Sequence, residues 1–193
     1  MNYECTLTVL IENQPGILTR VTGLLSRKGF KIDSLAIGDT ETKHISRLTL
    51  VLFGNNRIVN QITKQLYKLF HIIKIQNITN IPSIRRELLL LKILTYQNNR
   101  SKILEISTFF RAKILDFSEK TLTFEVTGDS EKVLALEQLI NQFGIIESAR
   151  TGKIALSRES LMNTKIFRNE HKLSRLKLVS AYATDDLMRS YII

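Results

Sequence analysis

Cysteine, proline and tryptophan are rare or missing in this chain of 193 residues, which has one Cys, two Pro and no Trp. Because a single cysteine cannot form an internal disulfide and Cys5 lies in an apolar run, we expect a buried thiol in a reducing compartment, not a nucleophile. Two prolines and eight glycines leave no room for a low-complexity linker. The apolar runs fall short of the ~18 to 20 residues of a membrane span, and a strand pattern begins near Tyr3. We therefore expect no membrane partner and no signal or transit peptide.

Positive charge is in excess, with 28 basic residues against 18 acidic ones and a net charge of +10. Such an excess suits nucleic-acid binding, but the Lys and Arg residues are scattered, without a long basic run or an arginine-rich helix face. We interpret most of them as solvated surface and expect no nucleic-acid partner. The chain is also rich in Ile, Asn and Lys, whose codons are AT-rich, so base composition accounts for part of the charge.

The spacing of apolar residues in the first 80 positions predicts the order strand, helix, strand, strand, helix, strand. The predicted strands are residues 3–11, 32–38, 46–53 and 71–79, and the predicted helices are residues 17–29 and 56–69. The order repeats, with strands at 86–95, 112–118, 121–127 and 145–156 and helices at 99–110 and 130–142. This is the order of a ferredoxin-like split βαβ unit. The sequence therefore predicts an α+β protein made of two tandem ferredoxin-like βαββαβ modules.

The boundary between the modules is predicted near Pro82, because proline ends the fourth strand. The predicted domains are residues 3–81 and 84–158, followed by a C-terminal extension, residues 159–193, of unknown role. The extension has weak helical spacing and fits an appended helix, a contact for a partner or sequence drift equally well. A sheet with helices on one face leaves its other face and its edges open, which predicts a homodimer.

One junction in the first module is predicted to bind a ligand. An apolar strand run stops at a polar turn, Asn13 to Gly16, and an amphipathic helix starts at Ile17. The unbonded N–H groups of the first helical turn and the positive end of the helix dipole therefore lie beside the turn, where a small carboxylate would fit. The same residues also suit an ordinary strand-to-helix turn, with Asn and Pro-Gly supplying local geometry.

The sequence contains no recognisable catalytic motif. The histidines, at positions 44, 71 and 171, are isolated and have no metal-ligand spacing. Several carboxylates lie near turns or on strands, and a general acid–base pair among them is possible but has no support in the sequence; they are Glu12, Asp33, Asp116, Glu119 and Glu125. A nucleophile elbow, a phosphate-binding loop and a dinucleotide fingerprint are missing as well. The sequence therefore predicts a binding module without a catalytic site.

The junction belongs to a longer stretch, residues 7–24, which reads LTVLIENQPGILTRVTGL. Further blocks follow in order: 26–30 (SRKGF), 32–35 (IDSL), 46–49 (SRLT), 64–69 (KQLYKL), 86–88 (REL), 110–112 (FRA), 125–129 (EVTGD) and 149–158 (ARTGKIALSR). In order and spacing these blocks resemble the small regulatory subunit of acetolactate synthase, also called acetohydroxyacid synthase, whose first module is an ACT domain. The resemblance extends from about residue 3 to 158 and includes both modules.

The resemblance implies a non-catalytic subunit that binds and stimulates a thiamine-diphosphate-dependent catalytic subunit and transmits feedback inhibition by valine. It implies no cofactor in this chain, with thiamine diphosphate, Mg and FAD expected in the catalytic partner. In the family, two ACT domains pair side by side, and valine lies between the strand-to-helix loop of one copy and the second strand of the other. The corresponding positions here are Asn13, Gln14, Pro15, Gly16, Ile17 and Leu18 of the loop and Lys31 and Ile32 of the second strand.

Lys31 departs from the family pattern, which usually has Asn at this position. Its ammonium group would either pair with the ligand carboxylate or repel the ligand amine, or it is a solvated group at the sheet rim. The sequence leaves open whether the effector is valine, leucine or isoleucine. The missing transit peptide fits a bacterial cytoplasm or an organelle-encoded protein of the plastid stroma, and the Ile, Asn and Lys content favours the plastid.

Two other functions share parts of this pattern. RNA-binding proteins can have the same βαββαβ order, and Lys28-Gly29-Phe30 matches the start of an RNA-recognition motif. That motif belongs on the third strand with further aromatic residues, whereas these residues end the first helix. An amino-acid-responsive transcription regulator would need a helix-turn-helix segment, and none precedes residue 3.

Overall fold

The computed structural model describes residues 3–96 and 98–158, and it confirms an α+β fold with two βαββαβ modules. The first module has an antiparallel sheet with the strand order β2-β3-β1-β4. Its elements are β1 (Tyr3–Glu12), α1 (Ile17–Arg27), β2 (Ile32–Asp39), β3 (Ile45–Gly54), α2 (Asn56–Leu66) and β4 (Ile72–Asn77).

The second module repeats this arrangement with the strand order β6-β7-β5-β8, and a further strand, β9, also pairs with β5. Its elements are β5 (Ser83–Leu94), α3 (Arg100–Phe109), β6 (Lys113–Phe117), β7 (Thr121–Gly128), α4 (Ser130–Asn141), β8 (Ile145–Arg150) and β9 (Ile154–Ser157). None of the helices in the described ranges is long and apolar enough to cross a membrane.

Each module has its own hydrophobic core between its helices and one face of its sheet. In the first, Ile17, Val21 and Leu25 of α1 pack with alternate residues of β1 such as Leu7 and Val9. In the second, α3 and α4 pack in the same way against β5 and β7. Each buried Leu, Ile or Val side chain contributes roughly 1.5 to 3 kcal/mol by leaving water, so both modules have a substantial core. Cys5 is fully buried in the first core, and this burial raises the pKa of its thiol.

The helices of the first module end earlier than the sequence predicts. Helix α1 ends at Arg27 because Gly29 takes a left-handed φ of 70° and the next residue turns back, with Phe30 N–H donating to the Leu25 carbonyl at 3.1 Å. Helix α2 ends at Leu66, where a tight turn follows in which Leu69 N–H donates to the Leu66 carbonyl at 2.9 Å.

The prediction of one final strand over residues 145–156 is wrong. Strand β5 begins at Ser83, earlier than the predicted residue 86, and its two halves pair with different strands. Residues 83–86 pair with β9, and residues 89–93 pair with β8. The pairing changes register between Leu89↔Arg150 and Arg86↔Ile154. Three residues, 151–153, therefore lie opposite two residues of β5, 87–88. This bulge separates β8 from β9.

The centre of the helix-free face of the first sheet is covered, which corrects the argument that led to a predicted homodimer. Five side chains there, on β1 and β3, are at most 3% exposed: Thr6, Thr8, Leu10, Thr49 and Val51. The second module contributes to this cover, because Lys153 Nζ lies 2.6 Å from the Glu4 carboxylate on the same face. Strand β2 is still an edge strand with β3 as its neighbour in the described chain, so the homodimer stays a prediction that rests on the edge alone.

Candidate functional site

The turn between β1 and α1 is fixed by its own backbone hydrogen bonds and by one from a neighbouring loop. Asn13 N–H donates to the His44 carbonyl at 2.8 Å, and Ile17 N–H donates to the Gln14 carbonyl at 3.2 Å. Gly16 caps the helix in a left-handed conformation with φ 79°, which glycine adopts without steric cost. An added Cβ at Gly16 would meet nothing within 4 Å. The turn is thus exposed and held by backbone hydrogen bonds.

The N-terminus of α1 has no side-chain cap and no acidic residue in its first turn. By contrast, α2 is capped by Asn55 and α4 by Asp129. Within the described ranges, the N–H groups of Gly16, Leu18 and Thr19 donate no hydrogen bond. These amides and the positive end of the helix dipole face the exposed turn, which is the arrangement that binds a carboxylate.

The six predicted loop residues have different environments. Asn13, Gln14, Pro15 and Gly16 are exposed, and Leu18 is 37% exposed. Ile17 is buried in the core at 4% exposure, and its N–H is already bonded to the Gln14 carbonyl. Ile17 therefore anchors the helix, while Gly16 and Leu18 offer free amides and Asn13 and Gln14 offer side-chain amides.

The second-strand positions lie at the start of the edge strand β2. Lys31 is exposed, and no hydrogen bond or ion pair joins it to the turn within the described part of the chain. Ile32 is half-buried, packs against the first core and pairs with Leu52. Strand β2 then bulges at Asp33, because Ser34 pairs with Val51 and not with Leu50. One copy therefore holds the loop and the strand as separate surfaces.

Two of the histidines that the sequence treats as isolated, His44 and His71, lie at the end of the sheet that carries the turn between β1 and α1. His44 has a left-handed φ of 66°, and its carbonyl accepts from Asn13. His71 Nδ1 lies 3.0 Å from a carboxylate oxygen of Glu12, and the His71 carbonyl accepts from Glu12 N–H at 2.9 Å. Glu12 and His71 are 59 positions apart in the chain, and sequence spacing gives no sign of this contact. His171 lies outside the described residues.

A second polar cluster lies in the second module. Glu87 is 4% exposed, and its carboxylate accepts hydrogen bonds from Arg150 Nε and from the hydroxyl of Ser130, the first residue of α4. Burial alone would raise the pKa of Glu87, but these two hydrogen bonds and the charges of Arg150 and Lys153 outweigh it and lower the pKa. The cluster ties β5, β8 and α4 together. Groups of His, Cys, Asp and Glu able to hold a metal ion are not found in residues 3–96 and 98–158.

The geometry disfavours an RNA-binding surface on the first sheet. An RNA-recognition sheet stacks bases on exposed aromatic residues of its helix-free face. Here the centre of that face is buried on β1 and β3, and Phe53, 53% exposed, is the one aromatic residue on β3.

Family models match both modules. Residues 7–74 match a model described as the acetohydroxyacid synthase small subunit-like ACT domain, and residues 86–159 match one described as the small subunit of acetolactate synthase.

Several known proteins are similar over most of the chain. A probable acetolactate synthase small subunit of Archaeoglobus fulgidus is 46% identical over 153 residues, which cover 79% of this chain and 96% of that protein. Acetolactate synthase small subunit 2, chloroplastic, of Arabidopsis thaliana is 43% identical over 163 residues, covering 84% of this chain and 34% of that protein. The crystal structure of an acetolactate synthase small subunit from Thermotoga maritima superposes with a TM-score of 0.77 at 34% identity, covering 81% of this chain and 98% of that one.

Proposed function

The chain belongs to the family of acetolactate synthase small subunits, and from that premise we propose how it regulates the enzyme. It stimulates the thiamine-diphosphate-dependent catalytic subunit and confers feedback inhibition by valine, in the biosynthesis of valine and isoleucine. The observation that carries the proposal is the uncapped N-terminus of α1 beside an exposed turn that is held by backbone hydrogen bonds.

The free amides of Gly16, Leu18 and Thr19 bind the carboxylate of the amino acid. Amides at a helix N-terminus point toward an anion, and the dipole favours negative charge there. Gly16 has no side chain, and the space in which a Cβ would lie is open. A ligand can therefore approach the backbone closely at this position. The side-chain oxygens of Asn13 and Gln14 are acceptors for the ligand ammonium group.

A second copy of the chain completes the site. Strand β2 is an edge strand, and Lys31 and Ile32 at its start are not joined to the turn of their own copy. In a homodimer with the two first modules side by side, the start of β2 from one copy lies opposite the turn of the other. Apolar surface from Ile32 and Leu18 then contacts the branched side chain of the ligand.

The chemistry of acetolactate formation belongs to the catalytic subunit. We place thiamine diphosphate, magnesium and FAD there, and we assign no catalytic residue to this chain. The chloroplastic relative from Arabidopsis supports the plastid stroma as the location if the chain is organelle-encoded; otherwise we place it in a bacterial cytoplasm.

Co-purification tests this proposal. The chain is expressed with an acetolactate synthase catalytic subunit from the same source, with an affinity tag on one partner only. We expect a stable complex that elutes as one species. Recovery of the tagged partner alone, under conditions in which both proteins are folded, would contradict the proposal.

A further inference from the structure

Two β-bulges, one from each module, meet where the two modules contact each other. The first is the bulge at Asp33 in β2, directly after the effector positions Lys31 and Ile32. The second is the bulge of residues 151–153 between β8 and β9. The backbone N–H of Lys153 in the second bulge donates to Ser34 Oγ beside the first, at 2.9 Å. The two modules are therefore joined at the point where β2 departs from regular pairing.

Gly152 makes this approach possible. A Cβ built on Gly152 would lie 2.7 Å from Ser34 Oγ and 2.9 Å from the backbone oxygen of Leu35. The latter atom belongs to β2 itself and cannot move without moving the strand. The backbone of the bulge thus lies directly against the backbone of β2, and only glycine fits between them.

The contact is held from both sides. Lys153 Nζ, on a side chain 12% exposed, forms an ion pair with Glu4 of β1 at 2.6 Å. On the other side, Thr151 N–H donates to the Leu88 carbonyl at 3.0 Å, and Leu88 N–H donates to Thr151 Oγ1 at 3.0 Å. The next residue back is Arg150, whose guanidinium binds the buried Glu87. Hydrogen bonds, together with the chain segment 150–153 between them, therefore link Ser34 to the start of α4 at Ser130.

We infer that Gly152 and Ser34 are positioning residues that carry the effect of the amino acid bound at Lys31 and Ile32 into the second module. A bulge is a place where strand register is locally irregular, so a ligand that pulls on the start of β2 displaces Ser34 and, through it, residues 151–153. Packed elements that meet backbone to backbone pass such a shift on instead of absorbing it. The inference rests on the proposed function and adds how inhibition leaves the effector site.

The test compares Gly152→Ala with the wild-type chain in complex with the catalytic subunit. Valine binding to the isolated small subunit is measured by calorimetry, and stimulation and valine inhibition are measured in the complex. We expect the valine affinity and the stimulation of Gly152→Ala to stay within about twofold of wild type. The valine concentration for half inhibition should rise about fivefold or more, or inhibition should become incomplete, because the loss of a typical allosteric coupling has an effect of this size. Gly23→Ala in α1 is the matched control, since a Cβ there meets nothing within 4 Å, and it should inhibit normally.

Ser34→Ala is the second variant. It adds no atoms, so it can test the inference by itself if Gly152→Ala does not fold. It removes one hydrogen bond and should weaken inhibition about fivefold while valine affinity is kept; Ser34→Thr, which retains the hydroxyl, is expected to inhibit better than Ser34→Ala. An inhibition curve unchanged in the folded variants would overturn the inference. So would a parallel loss of binding and inhibition, which would make the contact part of the binding site. Failure of the proposed function is distinct, because the wild-type chain itself would then neither bind valine nor be inhibited.

Discussion

Glu87 of β5 and Arg150 of β8 form an ion pair in which the carboxylate side chain is 3% exposed and the guanidinium side chain is 34% exposed. The pair lies one residue from the bulge that contacts the first module. The Glu87 carboxylate also accepts a hydrogen bond from Ser130. One carboxylate on β5 therefore binds groups from both β8 and α4.

Arg150→Ala should destabilise the protein by about 2 to 3 kcal/mol. Removing one partner of a buried pair leaves an uncompensated charge and costs roughly 3 to 5 kcal/mol, and the partial exposure of Arg150 reduces this figure. Denaturant unfolding measures the change. The control is Arg150→Lys, which keeps the charge and should cost less; equal stability of Arg150→Ala and wild type would show that water replaces the guanidinium.

Glu87 should also make folding stability depend on pH in the acid range. Its pKa is lower in the folded protein than the ordinary value of 4.5, so the folded state binds this proton less readily than the unfolded state. The stabilisation is complete above the ordinary value and is lost as pH falls through the lower folded pKa. In unfolding measured between pH 6 and about pH 3, Glu87→Gln should lose less stability than wild type. An identical pH dependence in the two proteins would mean that Glu87 does not contribute.

Gly16→Asp should abolish valine inhibition and leave stimulation of the catalytic subunit largely intact. The new carboxylate occupies the space and the positive field meant for the ligand carboxylate. The left-handed φ of 79° at Gly16 adds strain of about 1 kcal/mol. Gly16→Asn separates the two effects, because asparagine tolerates this conformation and brings no charge. Valine titration of the reconstituted enzyme should show weakened inhibition in the Asn variant, whose side chain is as large but neutral, and none in the Asp variant, and normal inhibition in both would place the ligand elsewhere.

Lys31→Asn should tighten valine binding by roughly 1 kcal/mol, since it restores a neutral hydrogen-bonding group at the position facing the ligand. Lys31 has no partner in the described part of its own chain, so no internal contact is lost. Calorimetric titration at low and high salt measures the effect, with Lys28→Asn as the control for loss of one exposed charge. Weaker and less salt-sensitive binding would mean that Lys31 pairs with the ligand carboxylate, and unchanged binding would mean that it is only a solvated residue.

Local pattern predicts the elements of this fold well and their long-range contacts poorly. Ile17, Val21 and Leu25 recur at helical spacing, and all three are buried in the first core. The bulge of residues 151–153 is different, because it arises only from the pairing of β8 and β9 with the two halves of β5. The pair Glu87–Arg150, 63 positions apart, likewise depends on sheet topology and has no local sign.

The candidate site divides in the same way. The turn and the free amides at the start of the helix can be predicted from residues 13–17 alone, because turns and helix ends are determined by local sequence. The engaged N–H of Ile17 and the support of the turn by His44 and His71 come from loops and strands far along the chain. These contacts appear only when the sheet is assembled.

The regulatory role itself is tested most directly by acetolactate formation in a reconstituted enzyme. Purified catalytic subunit is assayed alone and with increasing amounts of this chain, each with and without valine, and this chain is also assayed alone. The account predicts no product from this chain alone, a saturable increase in turnover when the two are mixed, and loss of that increase when valine is added. Turnover by the small subunit alone, or catalytic activity that does not change over a wide molar ratio, would contradict it.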